Sequence, residues 1–442
     1  MFYLIIVLFI LGYAAISLER YLSVDKAAIA LITGALIWIC IAFGGDTIDE
    51  VPRHELISHL GNIGGLAFFL LATMVIVGII DSYGGFSVLP KFIRTTDKVR
   101  LLWIMSFLTF FMSAVLGSIA AAIVMISLMW KLVGGKTTRW FFAGMIVIAA
   151  NAGGAWSPIG NISTAMLWIG GQVSEWSIIL QLFVPSLLCM LVPLVVISLT
   201  MKGEAHPPLS TGCLQSQVPA TNRERRMYLL SGIGGLLLIP VFKSVTNLPP
   251  YMGAMLALGI LWITTEILQR KKQKELRMRL TFAGILKKTD LSAIFFFLGI
   301  LLAVAGLESA GCLSIAGQFL NEKVHNIYAI NLAIGAFSSL MNQIPLVAGT
   351  MGMFDVVSHD ALTAISDPAK VAYLNHFVTD GSFWELLAYS AGVGGNILIV
   401  GSAAGVAAMS LTKIDFVWYL KKISLLALAG YLSGVVVYFL VK

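Results

Sequence analysis

Two stretches of this chain set oxygen-bearing side chains among helix-breaking residues. The first reads Asn151-Ala-Gly-Gly-Ala-Trp-Ser157-Pro158-Ile-Gly160-Asn161-Ile-Ser163-Thr164, the second Gly392-Val-Gly-Gly-Asn396-Ile-Leu-Ile-Val-Gly401-Ser402-Ala-Ala-Gly405. Glycine at this density, with Pro158 in the first stretch, interrupts a helix. An opened helix presents free carbonyls at the end of one half and free N–H groups at the start of the other. Carbonyls and the oxygens of Asn, Ser and Thr suit a hard cation such as sodium, whereas the N–H ends suit an anion. Candidate ion ligands are therefore Asn151, Ser157, Asn161, Ser163 and Thr164 in the first stretch and Asn396 and Ser402 in the second. Asn342, in Asn342-Gln343-Ile344-Pro345, joins them. The competing reading is that these residues only cap half-helices or tie helices together.

Carboxylates inside a membrane are costly and mark function by default. Asp81 and Glu308 lie near the deep ends of apolar runs, each just ahead of a glycine turn, and are the candidates for ion or proton coupling; an interfacial position is the alternative. His54-Glu55-Leu-Ile-Ser-His59 is one residue too long for the zinc spacing H-E-x-x-H and reads as an external loop. No nucleotide loop, Ser-His-Asp grouping or metal cluster stands out, so neither an enzyme nor a cofactor is expected, and no metal beyond a transported ion. Cys40, Cys189 and Cys312 sit in apolar runs and Cys213 in a polar loop, without paired spacing.

The elements that position these residues are set by composition. Of 442 residues, 58% are hydrophobic and 12% charged, and mean hydropathy is +0.91; a soluble domain carries about a quarter charged residues. An all-α polytopic membrane protein follows. A soluble enzyme, a nucleic-acid binder and a β-barrel are excluded, the barrel because its apolar residues would alternate. The net charge of +7 reads as basic cytoplasmic loops rather than as an acidic partner. The first apolar run, from Phe2 to about Ser17, has no basic region ahead of it and reads as a retained helix rather than a cleaved leader.

Apolar segments fall at 2–18, 27–43, 62–83, 101–132, 140–170, 176–200, 228–244, 251–268, 289–307, 327–354, 386–410 and 423–441. Acidic loops at 44–61 and 355–380 are placed outside. Basic loops at 91–100, 131–139, 202–226, 270–288 and 413–422 are placed in the cytoplasm. Segments 101–132 and 327–354 each have both flanks on one side and a polar or glycine break in the middle, at Gly117-Ser118 and at Asn342 to Pro345. Each half is short for a span, so both read as re-entrant hairpins, one from each side; two short full spans are the alternative.

The breaks repeat. Gly153 and Gly160 align with Gly394 and Gly401, Ser113 and Gly117 with Ser338 and Asn342, and Asp81-Ser82-Tyr83-Gly84 with Glu308-Ser309-Ala310-Gly311. The loop charges start one unit outside and the other inside, which makes them inverted-topology repeats. The resulting organisation is two N-terminal helices at 1–61, repeat 1 at 62–200, a cytoplasmic linker at 201–227, connecting helices with a basic loop at 228–288, and repeat 2 at 289–442. Secondary transporters place substrate and ion sites between such repeats, on discontinuous helices.

Ala149-Ala150-Asn151 through Gly160, followed by Thr164-Ala-Met-Leu-Trp-Ile-Gly-Gly-Gln172, closely resembles NhaD-type sodium/proton antiporters. So do Gly401-Ser-Ala-Ala-Gly-Val-Ala-Ala-Met409, Lys413 to Ile423, Phe297 to Ala305 and Glu308 to Gly311. The resemblance covers nearly the whole chain. It implies the ion transporter superfamily fold, exchange of sodium or lithium for protons by alternating access, a multi-pass position in a bacterial inner membrane, and a homodimer in many carriers of this kind. The departures lie at the titratable positions. Where the family reads Asp-Asn-Leu-Thr and Asp-Asn-Val-Pro at its hairpin tips, this chain has Gly117-Ser118-Ile119-Ala120 and Asn342-Gln343-Ile344-Pro345; Gly-Asp becomes Gly160-Asn161, and an expected glutamate is Gly78. Exchange needs a group that titrates, so either Asp81 or Glu308 has taken over coupling or proton exchange is lost. The alternatives are a sodium-coupled or uncoupled carboxylate carrier of the same fold and a transport-dead regulatory subunit.

Overall fold

A computed structural model describes residues 2–17, 24–44, 50–87, 95–204, 221–269, 282–287, 289–324, 326–340, 342–363 and 365–442. Lys91, Arg94, Cys213, most of the 202–226 linker and the basic residues from Arg270 to Arg279 lie outside them. In chain order the helices are α1 Phe2–Ser17, α2 Lys26–Gly44, α3 Glu50–Ser82, α4 Lys98–Leu116, α5 Ser118–Leu132, α6 Lys136–Ala155, α7 Ile162–Ile169, α8 Glu175–Thr200, α9 Asn222–Thr246, α10 Pro250–Gln269 and α11 Phe282–Leu286. They continue with α12 Leu291–Ser309, α13 Cys312–Val324, α14 Ile327–Ser338, α15 Gln343–Met353, α16 His359–Thr363, α17 Pro368–Leu374, α18 Ser382–Gly394, α19 Ala403–Thr412, α20 Phe416–Lys422 and α21 Ser424–Val441. Among the described residues, eight of these helices are long and apolar enough to cross a bilayer. The protein is an all-α, multi-pass membrane protein.

The burial pattern is the one a bilayer imposes. Peripheral α9 and α10 turn Leu230, Leu237, Leu238, Leu256, Ile260 and Ile263 outward, where lipid can cover them, because hydrogen-bonded helix backbone tolerates hydrocarbon and irregular backbone does not. The interrupted helices lie at the centre instead. Every residue of α6 from Phe142 to Ala155 and every residue of α18 is buried. The non-helical connection at 156–161 is largely buried, and the one at 395–402 is buried except around Val400, which is exposed.

Each interruption is met by the turn of a helix pair. At Gly117, between α4 and α5, φ is +87°, a conformation that a side chain disfavours; there Ser118 N donates to Gly160 O at 3.0 Å. Ser113 Oγ donates to Ala150 O, and in the second half Ser338 Oγ donates to Ala391 O at 3.1 Å. A Cβ on Gly153 would collide with the Phe110 backbone and one on Gly394 with the Gly335 backbone. Hairpin residues 110 and 113 thus recur as 335 and 338, and broken-helix residues 150 and 153 as 391 and 394, the same two offsets by which the sequence stretches align.

Loops assigned to one side by charge meet as that assignment requires. Lys98 N donates to Gly203 O and Arg225 bonds Ser87 on the basic side. On the acidic side Asp380 N donates to Gln172 O and Ser309 Oγ lies 3.4 Å from His59 Nε2.

Four expectations change. Helix α3 starts at Glu50, and His54 to His59 is helical rather than loop. Helix α4 has 19 residues, enough for a span, because its first turn uses charged Lys98 and Arg100 under the Asp97 cap. The acidic segment 355–380 folds into α16, α17 and a turn of 3-10 helix at Asn375–Phe377. Residues 312–324, outside every apolar segment, form α13.

Candidate functional site

The two breaks and the second hairpin turn converge on a buried, uncharged group of oxygens and amides. Asn161 ends the first break as N-cap of α7: its Oδ1 accepts from Ile162 N at 2.9 Å and from Gln343 Nε2 at 2.8 Å. Its Nδ2 faces Gln343 Oε1 at 3.4 Å and Gly392 O of α18 at 3.5 Å. Ser163 Oγ donates to Gln343 Oε1 at 3.3 Å. On the other side, Asn151 Nδ2 donates to Asn396 Oδ1 at 2.8 Å and to Ser402 Oγ at 2.7 Å. Both breaks therefore touch each other, and the α14–α15 turn touches the first.

Geometry sorts these groups by what they are free to do. The N–H ends of the half-helices are largely taken: Asn161 caps α7, Asn342 accepts from Ile344 N at 3.1 Å, and Ser402 accepts from Gly405 N at 3.0 Å. Ser157 Oγ donates to Ala114 O at 2.5 Å and so holds the first hairpin against the break. Of the expected ligands, two have a buried atom without a partner, Thr164 Oγ1 and Asn396 Nδ2, and in the first break Trp156 Nε1 is a third such atom. A buried hydroxyl without a hydrogen bond costs about 1–3 kcal/mol. The bare Thr164 hydroxyl oxygen, in the first turn of α7, is one that an alkali cation could coordinate. The capped half-helix N–H groups favour a cation over an anion, whereas the bare Asn396 Nδ2 and Trp156 Nε1 do not.

The expected ligands Asn151, Ser157, Asn161, Ser163, Thr164, Asn396 and Ser402 are all buried. Asn342 is half-buried and its carboxamide caps α15, whereas its neighbour Gln343 is buried and enters the cluster. Gln343 is the member of the cluster that sequence reasoning missed; its place in the hairpin motif was the available signal. Asp81 and Glu308 are exposed at the C-terminal ends of α3 and α12, and neither belongs to the central cluster. Gly78 faces Ile285 of α11.

A buried carboxylate occurs where none was expected. Glu385 of α18 is 2% exposed, paired with Lys442, and accepts from Ser177 Oγ at 2.5 Å and Tyr438 OH at 2.6 Å. Among the described residues no His, Cys, Asp or Glu grouping could hold a metal ion.

Comparison with known proteins agrees in kind. The family model described as citrate transporter matches residues 6–374. Sodium/proton antiporter 1 of Arabidopsis thaliana is 39% identical over 433 residues, 98% of this chain and 71% of that protein. Sodium/proton antiporter 2 of the same plant is 38% identical, covering 98% and 97%. The Na(+)/H(+) antiporter NhaD of Vibrio cholerae is 29% identical, covering 100% and 92%.

Proposed function

The chain belongs to the family of that citrate-transporter model, among the NhaD-type sodium/proton antiporters, and from that membership we propose that it exchanges sodium, or lithium, for protons by alternating access. The observation that carries the reading is the buried junction where Asn161, Ser163 and Gln343 meet on one side and Asn151, Asn396 and Ser402 on the other. Cations bind there to neutral oxygens, with Thr164 Oγ1 as a ligand. We take the two halves as antiparallel repeats whose hairpins and broken helices rearrange about this junction; the recurring hairpin contacts support that. Dependence of transport on such an arrangement is what inverted repeats provide.

The test is the purified protein in vesicles with an internal pH dye, sodium or lithium being added over a range of pH. A cation-dependent pH change supports the reading, and its absence with correctly inserted protein rejects it. A second reading, sodium-coupled carriage of a carboxylate, is favoured by one observation: the junction itself holds no carboxylate. It predicts sodium-dependent uptake of a weak acid without sodium-dependent proton movement.

A further inference from the structure

A neutral sodium site leaves the proton without a carrier. Asp81 and Glu308 sit at exposed helix ends. Glu385 differs from both: it is buried, and it lies in α18, the helix whose other end opens at Gly394 beside Asn396. An intramembrane carboxylate in a protein interior marks a proton or ion path by default.

The surroundings of Glu385 join three elements. Ser177 comes from α8, and Tyr438 and Lys442 come from α21 and the residue after it. The Lys442 side chain is 35% exposed and lines a cavity of about 330 Å³ with Tyr328, His376, Asp380, Ser382 and Tyr438. The titratable and charged groups around the carboxylate are thus Lys442, Tyr438, Tyr328, His376 and Asp380. The lysine lines the cavity and touches the carboxylate.

We propose that Glu385 is the group that carries the exchanged proton, with Lys442 as its counter-ion at the mouth of the outer cavity. The inference rests on the sodium/proton reading. Protonation takes one proton from cavity water and gives a neutral carboxyl; Lys442 keeps its charge and turns to the cavity. The ion pair that fastens α18 to α21 is then gone, and the outer half of the broken helix is released. Loss of the proton restores carboxylate, ion pair and fastening. A purely structural ion pair would instead hold α18 at every pH.

The test uses the full chain in vesicles, with sodium-isotope self-exchange at equal pH and sodium-driven pH change measured side by side. Glu385→Gln retains self-exchange and loses roughly a hundredfold of the pH change, and Glu385→Asp restores it with a displaced pH profile. Lys442→Met displaces the pH profile of the pH change, whereas a purely structural pair leaves it in place. Loss of both fluxes in Glu385→Gln at an unchanged melting temperature, or retention of both, overturns the proposal. A wild-type protein that moves sodium without a pH change rejects the exchange reading and the role of Glu385 together. A coupled wild type with an uncoupling-resistant Glu385→Gln rejects only Glu385.

Discussion

Asn161 can be perturbed in two directions with opposite expected results. In Asn161→Ala, α7 loses the cap on Ile162 N, about 1 kcal/mol, and the buried Gln343 Nε2 loses its acceptor at 2.8 Å, about 1–3 kcal/mol. The folded state should weaken by about 2–4 kcal/mol, and sodium binding with it. In Asn161→Asp both accepted hydrogen bonds survive. Only the long Nδ2 contacts at 3.4 and 3.5 Å are lost, and these stand at the limit of a useful hydrogen bond. The new oxygen then faces Gln343 Oε1 and Gly392 O, three acceptors that a cation would bridge. A unit charge about 4 Å from sodium is worth up to about 4 kcal/mol at an effective dielectric of about 20. Burying the carboxylate takes back part of this. A net gain of about 1.5–3 kcal/mol means about 10- to 100-fold tighter sodium. Titration calorimetry of the purified protein measures it, and the gain should vanish when the pH falls far enough to protonate the aspartate. Unchanged sodium affinity in an Asn161→Asp variant that melts like the wild type would refute the placement of Asn161 at the site.

Thr164→Val removes the orphaned hydroxyl at nearly constant volume. Melting temperature should hold or rise while sodium affinity falls, and equal affinity in calorimetry would take Thr164 out of the site. Gly153→Ala and Gly394→Ala each drive a methyl into hairpin backbone. Each should cost about 1–3 kcal/mol and stop sodium flux, and a well-folded, active variant at either position would contradict the close approach. Burial, and then the neighbouring Lys442, push the His376 imidazole below its ordinary value. The neutral ring is therefore the folded form: this stability is full above about pH 6.5, is lost as pH falls through the folded pKa, and the slope should disappear in thermal melts of His376→Gln.

The fold was legible because a bilayer enforces simple rules. Apolar runs and loop charges placed the spans, and dense glycine at 151–164 and 392–405 placed the breaks at 156–161 and 395–402. The site was legible as a set of residue types and less so as a set of atoms. Asn342 and Gln343 are adjacent and chemically alike, and which one points inward is decided by helix phase at the cap, where Asn342 is spent on Ile344 N. Glu385 escaped because hydropathy reads locally. A charge at the start of an apolar run moves the apparent span edge to 386, whereas the partner that makes burial tolerable, Lys442, lies 57 residues on. Helix α13 is too polar on average to read as a span, and α16 and α17, with 5 and 7 residues, are too short to show a period.

The separation of the two groups decides how they can communicate. Glu385 and Asn396 are 11 residues apart on one helix and its end, about 16 Å at 1.5 Å per residue. Across that distance, at an effective dielectric of about 20, sodium and carboxylate attract by about 1 kcal/mol, roughly a fivefold effect on either affinity. Moving a two-state protein from almost wholly one state to almost wholly the other takes about 5.5 kcal/mol. Direct electrostatics has the right sign for exchange, since bound sodium favours the charged carboxylate and so the loss of its proton, but it falls short by about 4 kcal/mol. The coupling has to pass through α18 itself: its inner end carries the Gly392 carbonyl that faces Asn161, and its outer end carries the pair that a proton dissolves. A wholly buried 13-residue helix joins the two events.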